Sequence, residues 1–329
     1  MPGGVLFYYD SEGSADFENS ADSRGSAALG KASPKSADSE GGADSESSAS
    51  RKPTVALIHG LGDEADTWRH VFPLLAGAGY RVLAPDLPGF GRSAWKGRIS
   101  MRAHCGAVLR LLEFACADRT AASTAQIAAA GAERQVALVG SSLGAGIAEL
   151  VACRRPDLAK ALILVAGCFP FAKSAGKKLW LLGLPFLGKK WYRGFRANHE
   201  AAWKSLHSYY ADLEGMSGED RGFLRERVVA RVESPEQERG YLSTVRSMNG
   251  FLMFGRRYMA RKAKKMPAGI LLLCGEKDRV FPPEKTGLFR ALRPDAEFAV
   301  ISGAGHLPQQ ERPEACAEKM LQFLSKLRC

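Results

Sequence analysis

A chain of 329 residues that is 46% hydrophobic and 25% charged has enough apolar material for a full core, and its balance is that of a globular enzyme built as one large domain with an insertion. The net charge of +11 is uneven: the first fifty residues hold nine acids against three bases, net −6, which leaves +17 on residues 51 to 329. A basic body of this kind is solvated surface that favours anionic partners, but no zinc-type spacing, recognition-helix pattern or aromatic-interleaved basic strand accompanies it, which excludes nucleic acid as the expected partner.

Taken in chain order, the first apolar run, Val5 to Tyr9, is β-prone and is expected as an early strand of a sheet. Residues 11 to 50 hold 12 of the 26 serines with few side chains large enough to pack, so residues 1–50 are expected to be mostly disordered. No charged n-region, apolar h-region and small-residue cleavage site opens the sequence, which points to a cytoplasmic location. From residue 53 onward, short apolar runs at 54–58, 81–84, 135–139, 161–165, 270–274 and 297–301 alternate with helix-like stretches near 66–77, 101–117, 143–154, 283–292 and 311–327. Alternation of this kind predicts a doubly wound, mostly parallel sheet covered on both faces, with 51–168 and 267–329 forming an α/β core. Between Phe169 and Met266 no buried strand is expected, only amphipathic, basic and aromatic-rich sequence. We read 169–266 as a helical cap inserted after the sixth strand. The seven cysteines lie mostly within apolar runs and read as reduced core thiols. The longest apolar stretch, Leu179 to Gly188, is half the roughly 20 residues a membrane span requires.

The chemistry-bearing motifs follow the strands. His59-Gly60-Leu61-Gly62 ends the first core strand, and its glycines allow a close backbone approach to a ligand; the N–H groups of Leu61 and Leu143 are the expected oxyanion-hole donors. Asp86, in Ala84-Pro85-Asp86-Leu87-Pro88-Gly89, reads as a turn-stabilising residue. Gly140-Ser141-Ser142-Leu143-Gly144 lies between an apolar run and a small-residue stretch, the pattern of a strand that turns sharply into a helix and lifts a serine oxygen clear of the backbone. No carboxylate follows the run at 161–165, so Asp278, directly after 270–274, is the preferred acid, with Glu276 as the alternative. His306, after 297–301, is the best general base among six histidines; His59 reads as support for its turn. The order serine, acid, histidine is the one expected of an α/β-hydrolase sheet. Finally, Lys177 to Arg193 encloses an apolar, tryptophan-containing centre between basic flanks, either a cap element facing a cleft or a contact with an anionic membrane surface through 177–196.

Read together, His59 to Gly62 with Trp68, Asp86 to Ser93, the elbow at Ser142, Gly275 to Asp278, and Gly305-His306 to Glu314 resemble the α/β-hydrolase superfamily, in its alpha/beta hydrolase-1 branch, over residues 53–329. Two positions depart from that pattern: Ser141 stands where the family commonly has His, and Ala145 replaces a frequent second Gly. The resemblance implies a serine nucleophile, Ser142, with His306 as base and Asp278 orienting it, and no cofactor or metal. It points to a small-molecule carboxylic ester, apolar or lipid-like, as substrate. The alternatives it leaves are hydrolysis of a carbon–carbon bond next to a ketone by the same triad, and a non-catalytic binding protein of the same fold.

Overall fold

The computed structural model describes residues 4–12, 52–118, 135–169, 177–263, 266 and 269–327. Except for its first two residues, the serine-rich stretch 11–50 lies outside them. In chain order the strands are β1 (Gly4–Val5), β2 (Tyr8–Asp10), β3 (Thr54–Ile58), β4 (Val82–Pro85), β5 (Ala94–Trp95), β6 (Val136–Ser141), β7 (Ala159–Val165), β8 (Gly269–Gly275) and β9 (Glu297–Ile301). Seven of them form one sheet in the order β2-β4-β3-β6-β7-β8-β9, parallel throughout except for β2, which runs antiparallel to β4. The run Val5 to Tyr9 is thus split, because β1 pairs with β5 in a separate two-stranded ribbon.

Successive side chains of a strand face opposite sides, so a strand buried on both faces must feed two cores. Ile58, Leu138, Leu162, Leu164, Ile270 and Leu272 pack with side chains of α2 (Met101–Asp118) and α3 (Leu143–Arg154). Their neighbours Leu57, Val139, Ile163, Val165, Leu271 and Leu273 pack with Trp68 and with side chains of α1 (Val71–Gly77) and a C-terminal helix, Pro313–Lys326. This accounts for the unbroken apolar runs that the sequence shows.

Among the described residues six α-helices lie between β7 and β8: α4 (Lys177–Leu182), α5 (Pro185–Ala197), α6 (His199–Ser205), α7 (Gly218–Glu233), α8 (Pro235–Phe254) and α9 (Arg256–Ala263). Local chemistry sets their starts. Asn198, Ser217 and Ser234 each accept a hydrogen bond from the N–H three residues on, satisfying a donor that the first turn leaves free. This helical segment follows the fifth strand of the seven-stranded sheet, one earlier than the sixth expected. Its place in the chain, directly after the apolar run at 161–165, is the one expected. Among the described residues three α-helices follow β8: α10 (Gly287–Leu292), α11 (Pro308–Glu311) and α12 (Pro313–Lys326). Among the described residues, no helix is long and apolar enough to cross a membrane.

One core group has a measurable consequence. Glu149 of α3 is completely buried, with both carboxyl oxygens 3.0 Å from the Phe169 N–H at the end of β7's following turn. Burial raises its pKa well above the usual range, against the smaller opposing effect of that N–H. The folded protein therefore keeps a proton that the unfolded chain releases above about pH 4.5, so stability from this group is present below that pH and is lost as pH rises, by about 1.4 kcal/mol per unit at most. Glu149→Gln retains an acceptor without the titration. Its melting temperature should exceed the parent's at pH 8 and converge with it near pH 4.5, as thermal unfolding at the two pH values would show; equal differences at both would remove the titration argument.

Candidate active site

The sheet order places β3 between β4 and β6, so the chain leaves β3 first to one side and later returns on the other. Loops beyond the carboxyl ends of strands diverge at such a switch point and leave a crevice. The loops after β3 and β6 both end there, and the residues singled out at 59–62 and 140–144 face one another.

Ser142 sits between β6 and α3 with φ 53° and ψ −112°, a left-handed conformation that costs a non-glycine residue on the order of 1–3 kcal/mol and persists only where the surroundings impose it. They do so closely. The Ser142 N–H donates to the Val165 carbonyl at 2.8 Å. A methyl group at Gly140 would meet the Gly144 carbonyl oxygen at 2.2 Å, and one at Gly144 would meet the Ile58 carbonyl oxygen at the same distance. The two glycines of the motif are therefore required by the approach of α3 to β6 and β3, and this approach is what lifts the serine oxygen into the crevice.

The acid and the histidine arrive on the next strands. Asp278, just past β8, and His306, past β9, are both buried. His306 Nδ1 lies 2.8 Å from Asp278 Oδ2, and His306 Nε2 lies 3.0 Å from Ser142 Oγ. The second Asp278 oxygen accepts from the N–H groups of Val280 and Phe281, each at 2.8 Å, which fixes the carboxylate's orientation. The structure thus brings together the serine, acid and histidine picked from the sequence. It does not bring Glu276 to them: that side chain is exposed and accepts from Ser302 and the Gly303 N–H. The His306 loop is held from the helical segment. Glu311 accepts from both the Gly305 and Ala211 N–H groups, and the His306 N–H donates to the Tyr209 carbonyl.

On the opposite side, His59 is fully buried and its pKa is lowered, chiefly by that burial. Its Nε2 accepts from the Leu87 N–H at 2.8 Å, so Nδ1 carries the proton and donates to the Gly60 carbonyl, also at 2.8 Å. The carbonyl of a trans peptide points opposite to its N–H, so anchoring the Gly60 oxygen turns the Leu61 N–H the other way. Among the described residues neither the Leu61 nor the Leu143 N–H has an acceptor, and both residues line the same cavity as Ser142 and His306. Asp86 secures this loop by accepting from the Ala65 N–H at 2.7 Å and by pairing with Arg92.

That cavity has a volume of about 490 Å³. Its lining includes Phe169, Leu182, Trp191, Val228, Met248 and Phe281, with Tyr209, Tyr210 and Arg231 among the polar members. Arg231 belongs to a group that sequence reasoning missed. Arg227 and Arg231, one turn apart on α7, grip Glu64, with Arg227 bidentate at 2.7 and 2.5 Å and Arg231 at 2.8 Å, and Arg231 also bonds Asp63 at 2.6 Å. Burial alone would raise the Glu64 pKa, but the two guanidiniums override it and hold it at about 2. The spacing of the two arginines was visible in the sequence; their partners, more than 160 residues away, were not. Among the described residues no group of His, Cys, Asp or Glu is arranged to hold a metal ion.

Comparison with known proteins agrees with the fold. A family model described as "Alpha/beta hydrolase family" matches residues 55–319. The chain is 27% identical over 280 residues to a pimeloyl-[acyl-carrier protein] methyl ester esterase of Klebsiella pneumoniae subsp. pneumoniae, spanning 83% of this chain and 94% of that one. It is 28% identical over 281 residues to a 2-hydroxy-6-oxononadienedioate/2-hydroxy-6-oxononatrienedioate hydrolase of Paraburkholderia phymatum, covering 84% and 88% respectively. Among solved structures, a thermophilic esterase from Thermogutta terrifontis superposes with a TM-score of 0.65 at 21% identity, over 84% of this chain and 91% of that one.

Proposed function

Because the chain belongs to the alpha/beta hydrolase family, we propose that it is a serine hydrolase that cleaves a carboxylic ester of apolar or lipid-like character. The observation that carries this reading is the unbroken line from Asp278 through His306 to Ser142 Oγ, at 2.8 and 3.0 Å, in the wall of a largely apolar cavity. In this mechanism His306 Nε2 takes the Ser142 proton as Oγ attacks the ester carbonyl, and Asp278 keeps Nδ1 protonated and stabilises the imidazolium that forms. The Leu61 and Leu143 N–H groups receive the oxyanion, a contribution of roughly 3–4 kcal/mol per donor. The alcohol departs with the proton from His306, and water, deprotonated by the same nitrogen, releases the acid from the acyl-Ser142 ester. The helices α4–α9 serve as the lid that shapes the acyl pocket.

A carbon–carbon bond hydrolase would use the same three side chains. The dicarboxylate named for the Paraburkholderia relative calls for a cation at each of its two carboxylates, whereas of the two cationic residues lining the cavity Arg231 is already bound to Asp63 and Glu64, which leaves Lys285, donating to the Val280 carbonyl, without an ion pair among the described residues. The ester reading is therefore preferred. Hydrolysis of p-nitrophenyl esters from acetate to palmitate should rise beyond butyrate as the acyl chain fills the apolar lining. A maximum at acetate would contradict an apolar acyl pocket, and cleavage of a ketone substrate without any ester turnover would transfer the assignment to the carbon–carbon reaction.

A further inference from the structure

We propose that the outer face of α4, α5 and the α8–α9 junction is a docking surface for an anionic lipid bilayer. Eight of the thirteen large apolar side chains that are exposed among the described residues lie on these helices or, in the case of Leu184, in the turn that joins α4 to α5. They include Trp180, Leu181, Phe186, Met253, Phe254 and Tyr258, with Phe186 88% and Phe254 79% exposed. Asn249 joins the two parts of the face, because its side-chain amide on α8 donates to the Leu179 carbonyl on α4 at 3.0 Å. The same helices turn Leu179, Leu182, Trp191, Met248 and Leu252 inward to the cavity, so the patch is the outer skin of the cavity wall and not a part of the core left open. Single exposed apolar residues are ordinary on a soluble surface; a concentration of them marks an interaction site.

Charge selects the occupant. No Asp or Glu occurs in residues 158–199 or 239–275, which together carry sixteen of the 46 lysines and arginines. Lys189, Lys190 and Arg257 are exposed around the patch and, among the described residues, make no ion pair. An apolar centre with projecting Trp, Phe and Tyr inside a rim of cations alone matches acyl chains beneath anionic headgroups. An acidic carrier protein would answer the rim but leave the projecting phenylalanines in water. The proposal concerns binding alone and does not rest on the ester assignment.

Sedimentation of the full chain with vesicles of phosphatidylcholine containing about one third phosphatidylglycerol tests it, against vesicles of phosphatidylcholine alone. Binding should favour the anionic vesicles and weaken as salt is raised. Lys189→Gln with Lys190→Gln should lower partitioning roughly twenty-five-fold, at about fivefold per cation near the surface, and Phe186→Ser with Phe254→Ser should lower it at least as much, both with circular dichroism and melting temperature unchanged. Equal binding to both vesicle types, or variants that bind like the parent, would overturn the proposal. So would absence of vesicle binding together with either capture of a purified acidic carrier protein or a self-association that Phe186→Ser abolishes.

Discussion

Ser142→Ala should lower kcat for a p-nitrophenyl ester by a factor of roughly 10⁴ to 10⁶ while leaving KM within a few-fold of the parent. The size follows from what the hydroxyl does in the proposed reaction. It supplies the attacking atom itself, so its removal deletes the acyl-enzyme route, whereas the cavity lining that binds the acyl chain is untouched. The fold should tolerate the change, because alanine removes only the oxygen whose partner is His306 and the strained backbone is imposed by the packing of β6, β7 and α3. Labelling of the parent by a fluorophosphonate, with none in Ser142→Ala, would identify the residue directly. Asp278→Asn should approach the same loss with the geometry kept, since the amide would favour the wrong His306 tautomer. A Ser142→Ala protein that retained more than about one hundredth of the parent kcat would remove Ser142 from the proposed role.

The second large effect lies in the arginine pair. Arg231→Met should cost about 3–5 kcal/mol of stability, because it strips Asp63 of its ion pair and leaves the fully buried Glu64 to Arg227 alone. A methionine of similar length retains much of the packing, so the loss measures the uncompensated charge more than a cavity. The sign of its pH dependence follows from Glu64. A carboxyl held at about 2 by the arginines, against an unfolded value near 4.5, contributes stability that is present above pH 4.5 and is lost as pH falls toward 2. Part of that acid sensitivity should vanish in Arg231→Met. A consequence for turnover follows from position: Asp63 and Glu64 stand two and three residues beyond Leu61, whose N–H is a proposed oxyanion donor. Loosening them should reduce kcat more than it raises KM, and denaturant unfolding together with steady-state kinetics at a temperature well below the variant's transition would separate the two effects. Unchanged stability would show that the cluster contributes nothing net.

What the sequence determined by itself was everything that depends on neighbours along the chain. Period-two burial makes continuous apolar runs into central strands, small residues at 140 and 144 permit the tight turn at Ser142, and serines at 217 and 234 start helices. The strand positions and the order of Ser142, Asp278 and His306 along the chain were legible for that reason, and the direction of a parallel sheet brings loops at its carboxyl edge together without any further information. Only the tertiary structure decided the rest. Arg227 and Arg231 look like solvated helix charges until Glu64 is found 163 and 167 residues away, and Glu149 looks like one more surface acid on a helix until α3 is seen pressed into the core. The split of Val5 to Tyr9 between ribbon and sheet depended on which edge offered a partner. The apolar side chains of α4, α5, α8 and α9 are alike in sequence; which of them line the cavity and which face outward is set by where each helix rests against its neighbours, and that is a property of packing that no local pattern encodes.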